Sequence, residues 1–220
     1  MRTRPVRGGY GVVLLLIVVT YVLALSADER WIVAVLLFVQ TLTVWQALRV
    51  SGAHLGARLI AALVFALALF AAILNLFFHE SPLIGWTFLA ASSLYLLAPF
   101  SIVRNLAGRR GVDQQTLLGA LAAYLLIGMA FGFAYECVAA LQPGPLFGEN
   151  GDPPLSDALF FSFVTMTTTG YGDLVPATNP AQSIAILEAL LGQLFLVTAV
   201  AKVVENWRPR NWQATSEDPT

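Results

Sequence analysis

Cysteine is almost missing from this chain, and histidine and charge are scarce. Cys137 is the single thiol, so no intrachain disulfide can form and cysteine usage carries no signal of a redox compartment. His54 and His79 each stand alone in a short loop and read as ordinary solvated histidines. There is no metal-ligand cluster, no phosphate-cradling Gly-Lys-Ser/Thr loop and no nucleophile–base pairing, so nothing points to an enzyme or to a cofactor. Charged residues make up 11% of the chain against 58% hydrophobic, which excludes an ordinary soluble domain. The net charge of −1 favours no class of partner, and no nucleic-acid partner is expected.

Long apolar runs are what the sequence has instead. Several exceed the roughly 18 residues that read as a spanning helix. Six are predicted: Tyr10–Ser26, Trp31–Val50, Arg58–Phe78, Leu83–Val103, Thr116–Ala140 and Ala181–Asn206. A seventh, Ser156–Thr167, is too short to span. Pro153-Pro154 stops what precedes it, and Ser156 or Asp157 is positioned to cap its first free amides. It reads as a re-entrant helix, which at membrane depth needs protein or water around the irregular backbone that follows. The expected fold is therefore an all-α membrane protein with six transmembrane helices, a re-entrant helix and a loop. The expected division is an N-terminal arm (1–9), a four-helix domain (10–110), a second membrane domain (111–207) and a short tail (208–220).

Basic residues set the expected orientation. With both termini cytoplasmic, every Lys and Arg except Arg30 falls on the cytoplasmic side. Asp28, Glu29, Glu80, Glu149, Asp152 and Asp173 fall outside. A basic start, an apolar stretch and Ala24-Leu25-Ser26-Ala27 also fit a cleavable signal peptide. The length of the apolar stretch favours retention of this segment as a helix.

Between the re-entrant helix and the last span lies Thr167-Thr168-Thr169-Gly170-Tyr171-Gly172-Asp173. Successive carbonyls of an extended strand point to opposite sides. Turning several onto one axis needs residues with left-handed dihedrals, which glycine adopts without steric penalty. Gly170 and Gly172 supply that freedom, and the Thr168 hydroxyl adds a side-chain oxygen. Such a stack of oxygens suits a dehydrated cation.

TMTTTGYGD, Thr165 to Asp173, resembles the potassium-channel signature, and Thr116–Asn206 resembles the family's pore domain of outer helix, turret, pore helix, filter and inner helix. The resemblance covers about the last two-fifths of the chain. It implies that Thr168, Thr169, Gly170, Tyr171 and Gly172 form a selectivity filter, with K+ as the permeant ion at Thr168, Thr169, Gly170 and Tyr171. Thr169 stands where valine or isoleucine is common, and its hydroxyl has no nameable partner. The Tyr171 ring is expected against Phe160 and Phe161. Asp173 is the expected mouth carboxylate. The carboxylate or aromatic donor that often holds it from the pore helix is missing in Phe160-Phe161-Ser162-Phe163-Val164.

In the inner helix, Gly192 resembles the family's gating hinge, although a close-packing glycine fits equally. Gln193, Leu196, Val200 and Val204, spaced by three and four, could line a cavity. Glu188 lies about two turns into that helix, off this stripe and towards the pore helix. A buried carboxylate must be paired, protonated or wet, so Glu188 reads as a brace to a threonine or tyrosine, or as a proton-responsive switch. A voltage sensor needs several arginines at every third position, each coupling to the field by about 2.3 kcal/mol per 100 mV. Leu83–Val103 has none; Arg104 follows it, and Pro99 should kink or end the helix.

One filter per chain cannot enclose an ion, so a homotetramer in the lipid bilayer of a cell membrane is expected. The expected function is passive, potassium-selective conduction without conventional voltage gating. A non-selective cation channel of the same fold and a non-conducting membrane scaffold are the alternatives.

Overall fold

The computed structural model describes residues 9–24, 30–53, 55–56, 58–64, 66, 83–107 and 113–205. Within them the regular elements are helices: α1 (Gly9–Ala24), α2 (Arg30–Val50), α3 (Leu83–Ala107), α4 (Gln114–Leu141), α5 (Leu155–Met166) and α6 (Asn179–Glu205). A single 3-10 turn covers Gly148–Asn150. Residues 58–64 are also helical. The rest of the expected segment Arg58–Phe78, both histidines, most of the N-terminal arm and the 208–220 tail lie outside the described residues. Among the described residues, α4 and α6 are the two helices long and apolar enough to cross a membrane.

α1 buries Tyr10, Val13, Ile17, Thr20 and Ala24, whose alternating spacing of three and four marks one helix face. That face meets α2 and α4, so the first segment shares a core with α4. α3 lies along α4 in the most extensive helix contact of the described chain. Its Leu94, Tyr95, Ala98 and Ile102 are buried, and the Tyr95 and Phe133 rings approach with centroids 5.4 Å apart. Gly119 of α4 admits both neighbours, since a Cβ there would lie 3.2 Å from Leu106 Cδ1 and from Tyr10 Cε2.

Two details of the helices are settled here. Of the two outcomes expected at Pro99, a kink or an end, the end does not occur: α3 runs through Pro99 to Ala107. Proline removes one N–H from the ladder, and in a helix packed on its neighbours that loss is tolerated. α5 starts at Leu155, with neither Ser156 nor Asp157 as its cap. Pro154 takes that position, its carbonyl accepting from the amides of Asp157 (2.9 Å) and Ala158 (3.1 Å). Ser156 and Asp157 thereby fall in the first turn, where the acid still favours the positive end of the helix dipole. α4 has a side-chain cap: Asp113 Oδ1 accepts from the Thr116 amide at 2.8 Å and from its hydroxyl at 2.6 Å.

The loop between α4 and α5 folds over the start of α6. Leu146 N donates to Asp152 Oδ1 (2.8 Å), Ala177 N to Leu146 O (2.9 Å) and Thr178 Oγ1 to Gln142 Oε1 (2.8 Å). Beneath it, Phe131, Tyr135, Leu146, Phe147, Phe161 and Ala181 form a small core of their own. This arrangement fixes both ends of the segment that follows α5.

Candidate functional site

Thr167–Asp173 leave α5 as irregular, solvent-exposed backbone. Their first amides turn back onto the last turn of α5. Thr167 N donates to Phe163 O (3.0 Å), Thr168 N to Thr165 O (3.0 Å), Thr169 N to Val164 O (2.9 Å) and Gly170 N to Val164 O (3.4 Å). The helix end, whose carbonyls would otherwise be unsatisfied, thus acts as a template for the chain that leaves it. Tyr124 of α4 donates its hydroxyl to the Met166 carbonyl at 3.4 Å.

Left-handed φ recurs at every second residue: Thr168 (57°), Gly170 (57°) and Gly172 (88°). Thr169 and Tyr171 between them are not left-handed. Alternation of hand brings carbonyls that a strand would send to opposite sides onto one side. Thr168 is the one non-glycine residue with positive φ among the described residues. The sequence reading assigned this freedom to the glycines alone.

The Tyr171 ring stacks on Phe160, with centroids 6.0 Å apart and planes 2° from parallel. Phe161, expected beside it, instead packs edge-on against Tyr135 (4.9 Å) and Phe147 (5.0 Å). Successive residues of a helix point about 100° apart, so the two phenylalanines serve different neighbours. The Thr169 hydroxyl does have a partner, Thr167 Oγ1 at 2.9 Å. Asp173 is exposed and its carboxylate makes no hydrogen bond among the described residues. Its carbonyl accepts from Asn150 Nδ2 of the 3-10 turn at 2.9 Å, so this end of the segment is tied through the main chain to the loop between α4 and α5.

Glu188 is fully buried and faces α5 and α4. Tyr135 donates its hydroxyl to Glu188 Oε2 at 2.7 Å, and Ser162 Oγ contacts Oε1. Gly192, one turn on, seats the end of α5: a Cβ there would lie 2.6 Å from Met166 Cγ and 2.9 Å from its carbonyl oxygen. α6 runs through Gly192 as continuous helix, so in this conformation the glycine is a packing site. Gln193, Leu196, Val200 and Val204 are all exposed. So are Leu190, Leu194 and Val197, and α6 as a whole is largely uncovered within one chain.

Three participants were missed from sequence. Gly128 and Gly132 of α4 form the floor on which α5 lies. A Cβ on Gly128 would meet Phe163 Cε1 at 2.6 Å, and one on Gly132 would meet the Leu159 Cα at 3.2 Å. Their Gly-x-x-x-Gly spacing in an apolar run was the available signal. Ser162 is the third, and only its position opposite Glu188 reveals it.

Residues 120–207 match the family described as ion channel. A two pore potassium channel c of Oryza sativa subsp. japonica is 42% identical over 73 residues, 33% of this chain and 14% of the relative. The inward rectifier potassium channel Kirbac3.1 of Paramagnetospirillum magnetotacticum is 40% identical over 81 residues, 36% of this chain and 25% of the relative. The potassium voltage-gated channel subfamily A member 6 of Homo sapiens is 35% identical over 91 residues, 41% and 16% respectively.

Over residues 120–207 the chain is similar to potassium channels. That similarity supports a helical membrane protein. The matched stretch spans a quarter or less of the length of these relatives. No solved structure matches the chain.

Proposed function

We propose that the chain is one subunit of a homotetrameric, potassium-selective channel of the cell membrane, with six spans and both termini cytoplasmic. The observation that carries this reading is the alternation of left-handed backbone at Thr168, Gly170 and Gly172 in a wholly exposed segment. Irregular backbone cannot face lipid. Four copies around an axis would bury it and surround an ion with oxygens at once. The uncovered surface of α6 supports the same assembly.

Dehydrated K+ exchanges water for the carbonyls of Thr168, Thr169, Gly170 and Tyr171, with Gly172 closing the stack and the Thr168 hydroxyl at its inner end. Ions advance by repulsion between neighbouring sites. Asp173 raises the cation concentration at the mouth. Below, the carboxyl end of each α5 dipole favours a cation in the cavity, and Gln193, Leu196, Val200 and Val204 line the way out. Gly192 is a hinge only in a state where α6 leaves Met166.

Gating is not of the conventional voltage-driven kind. Across α3 the one basic side chain is Arg104, in the last turn and exposed, so the helix has no ladder of charges to move. Purified full-length chain in liposomes is expected to take up rubidium and to give reversal potentials that follow the K+ gradient in K+/Na+ mixtures. Vesicles that stay tight, a monomeric particle, or potentials indifferent to K+ over Na+ would refute the proposal. Thr169→Val removes only the contact with Thr167 and should change rubidium flux by no more than about two- to threefold, the size of one modest hydrogen bond.

A further inference from the structure

Three helices meet on Glu188, and the contacts there outnumber the hydrogens available to an ionised side chain. Tyr135 of α4 donates to Oε2 at 2.7 Å. Ser162 of α5 contacts Oε1, and the same serine oxygen lies 2.7 Å from the Gly128 carbonyl of α4. A serine hydroxyl has one proton, a carbonyl has none, and a carboxylate has none. The two contacts of Ser162 therefore share a single hydrogen when Glu188 is charged. Whichever acceptor the serine serves, the other contact sets lone pair against lone pair.

One proton on Glu188 removes the deficit. Oε1–H donates to Ser162, Ser162 donates to Gly128, and Tyr135 donates to Oε2, so every contact has its hydrogen. Among the described residues no positive group on the helices that contact α6 offsets a charge here. Of the elements packed on α6, α4 faces Glu188 with the titratable groups Tyr135 and, further along, Tyr124; α5 faces it with Ser162. Neither α4 nor α5 contains Lys, Arg or His. Lys202 of α6 is four turns away, about 20 Å along the axis.

We infer that Glu188 is a proton-held latch: neutral in the conducting state, it ties α6 through Ser162 to α5 and α4, and its ionisation releases the helix that holds the filter. This rests on the channel reading above. Glu188 touches no ion; it is a positioning residue. Its reach is short, because Ser162 immediately precedes Phe163, Val164 and Thr165, whose carbonyls hold the amides of Thr167 to Gly170. One turn along α6, Gly192 seats Met166 and completes the attachment.

The test uses the full chain in liposomes, with rubidium flux followed across pH and infrared spectra taken from the same preparations. In Glu188→Gln the amide N–H₂ donates to Ser162 and the amide oxygen accepts from Tyr135, reproducing the protonated acid at every pH. Wild-type flux is expected to fall about tenfold as pH rises, the equivalent of one or two net hydrogen bonds. Glu188→Gln should hold its low-pH flux throughout. The wild-type-minus-variant infrared difference, which cancels the buried carboxyl of Glu136, should contain a protonated-carboxyl carbonyl band that fades over the same pH range.

Identical pH profiles for the two proteins, or a wild-type flux that rises with pH, would overturn the latch. So would a difference spectrum without that band, or wild-type spectra without any protonated-carboxyl band, a result that needs no variant to fold. Vesicles tight at every pH in both proteins would defeat the channel reading instead, and the band would still decide whether Glu188 holds its proton.

Discussion

Replacing Gly170 or Gly172 by alanine is expected to lower rubidium flux at least about 100-fold. The loss does not come from crowding, since a Cβ at either position meets nothing within 4 Å in the subunit. It comes from the backbone. Gly170 has φ 57° and Gly172 φ 88°, and an L-residue held left-handed costs roughly 1–2 kcal/mol. In the proposed tetramer the cost would arise four times, about 4–8 kcal/mol, whereas a 100-fold change needs only about 2.7 kcal/mol. Relief by rotation to negative φ would swing a carbonyl off the axis and remove an ion site. Gly172→Ala should be the harsher change, because 88° lies beyond the narrow left-handed well near 50–70° that Thr168 at 57° still occupies. Helix content and oligomer mass, by circular dichroism and light scattering, should remain those of the wild type. Undiminished flux through either variant would mean that alternating backbone hand does not line the permeation path.

The glycines of that segment were legible because their reason is local: a φ that few other residues adopt. Helix positions were legible for a similar reason. Apolar length alone put α2 at Trp31–Val50 against the observed Arg30–Val50, and α4 at Thr116–Ala140 against Gln114–Leu141. What the sequence concealed depends on partners distant along the chain. Thr168 shares the left-handed backbone because the end of α5 offers its amide the Thr165 carbonyl, which no propensity for threonine foretells. Phe160 and Phe161 are identical in composition, and only the turret core decides that the second belongs to Tyr135 and Phe147. Pro99 shows the same limit from the other side. Its local rule allows a kink or an end, and α3, packed along α4, does not end there. Glu188 fell between these cases. Its direction towards α5 followed from helical spacing, but that a serine meets it there required the fold.

Substituting both Gly128 and Gly132 by alanine is the second change with a large expected effect, and it acts through packing. These two residues place the backbone of α4 close enough to α5 for the Gly128 carbonyl to reach Ser162 Oγ at 2.7 Å. At Gly132 a methyl group would press on the Leu159 side chain and lie 3.2 Å from its Cα, an atom that cannot rotate away. At Gly128 the contact is with Phe163 Cε1 at 2.6 Å and Met166 Cε at 2.9 Å, side-chain ends that can move only by leaving the seats they fill against Tyr21 and Gly192. Overpacking a filled interface costs about 1–3 kcal/mol per site, so about 2–6 kcal/mol is expected for the pair in each subunit. The sites lie one turn apart on the same contact, so the two effects will couple and need not add. Thermal denaturation of the purified oligomer should show a loss of several degrees for each single variant and a larger one for the pair. Gly11→Ala, at a helical position where a Cβ meets nothing within 4 Å, serves as the control and should leave the midpoint unchanged or slightly raised. Because α5 carries the proposed filter, flux should fall together with the midpoint. A pair of variants as stable as the wild type would show that α4 and α5 do not approach as closely as this packing requires.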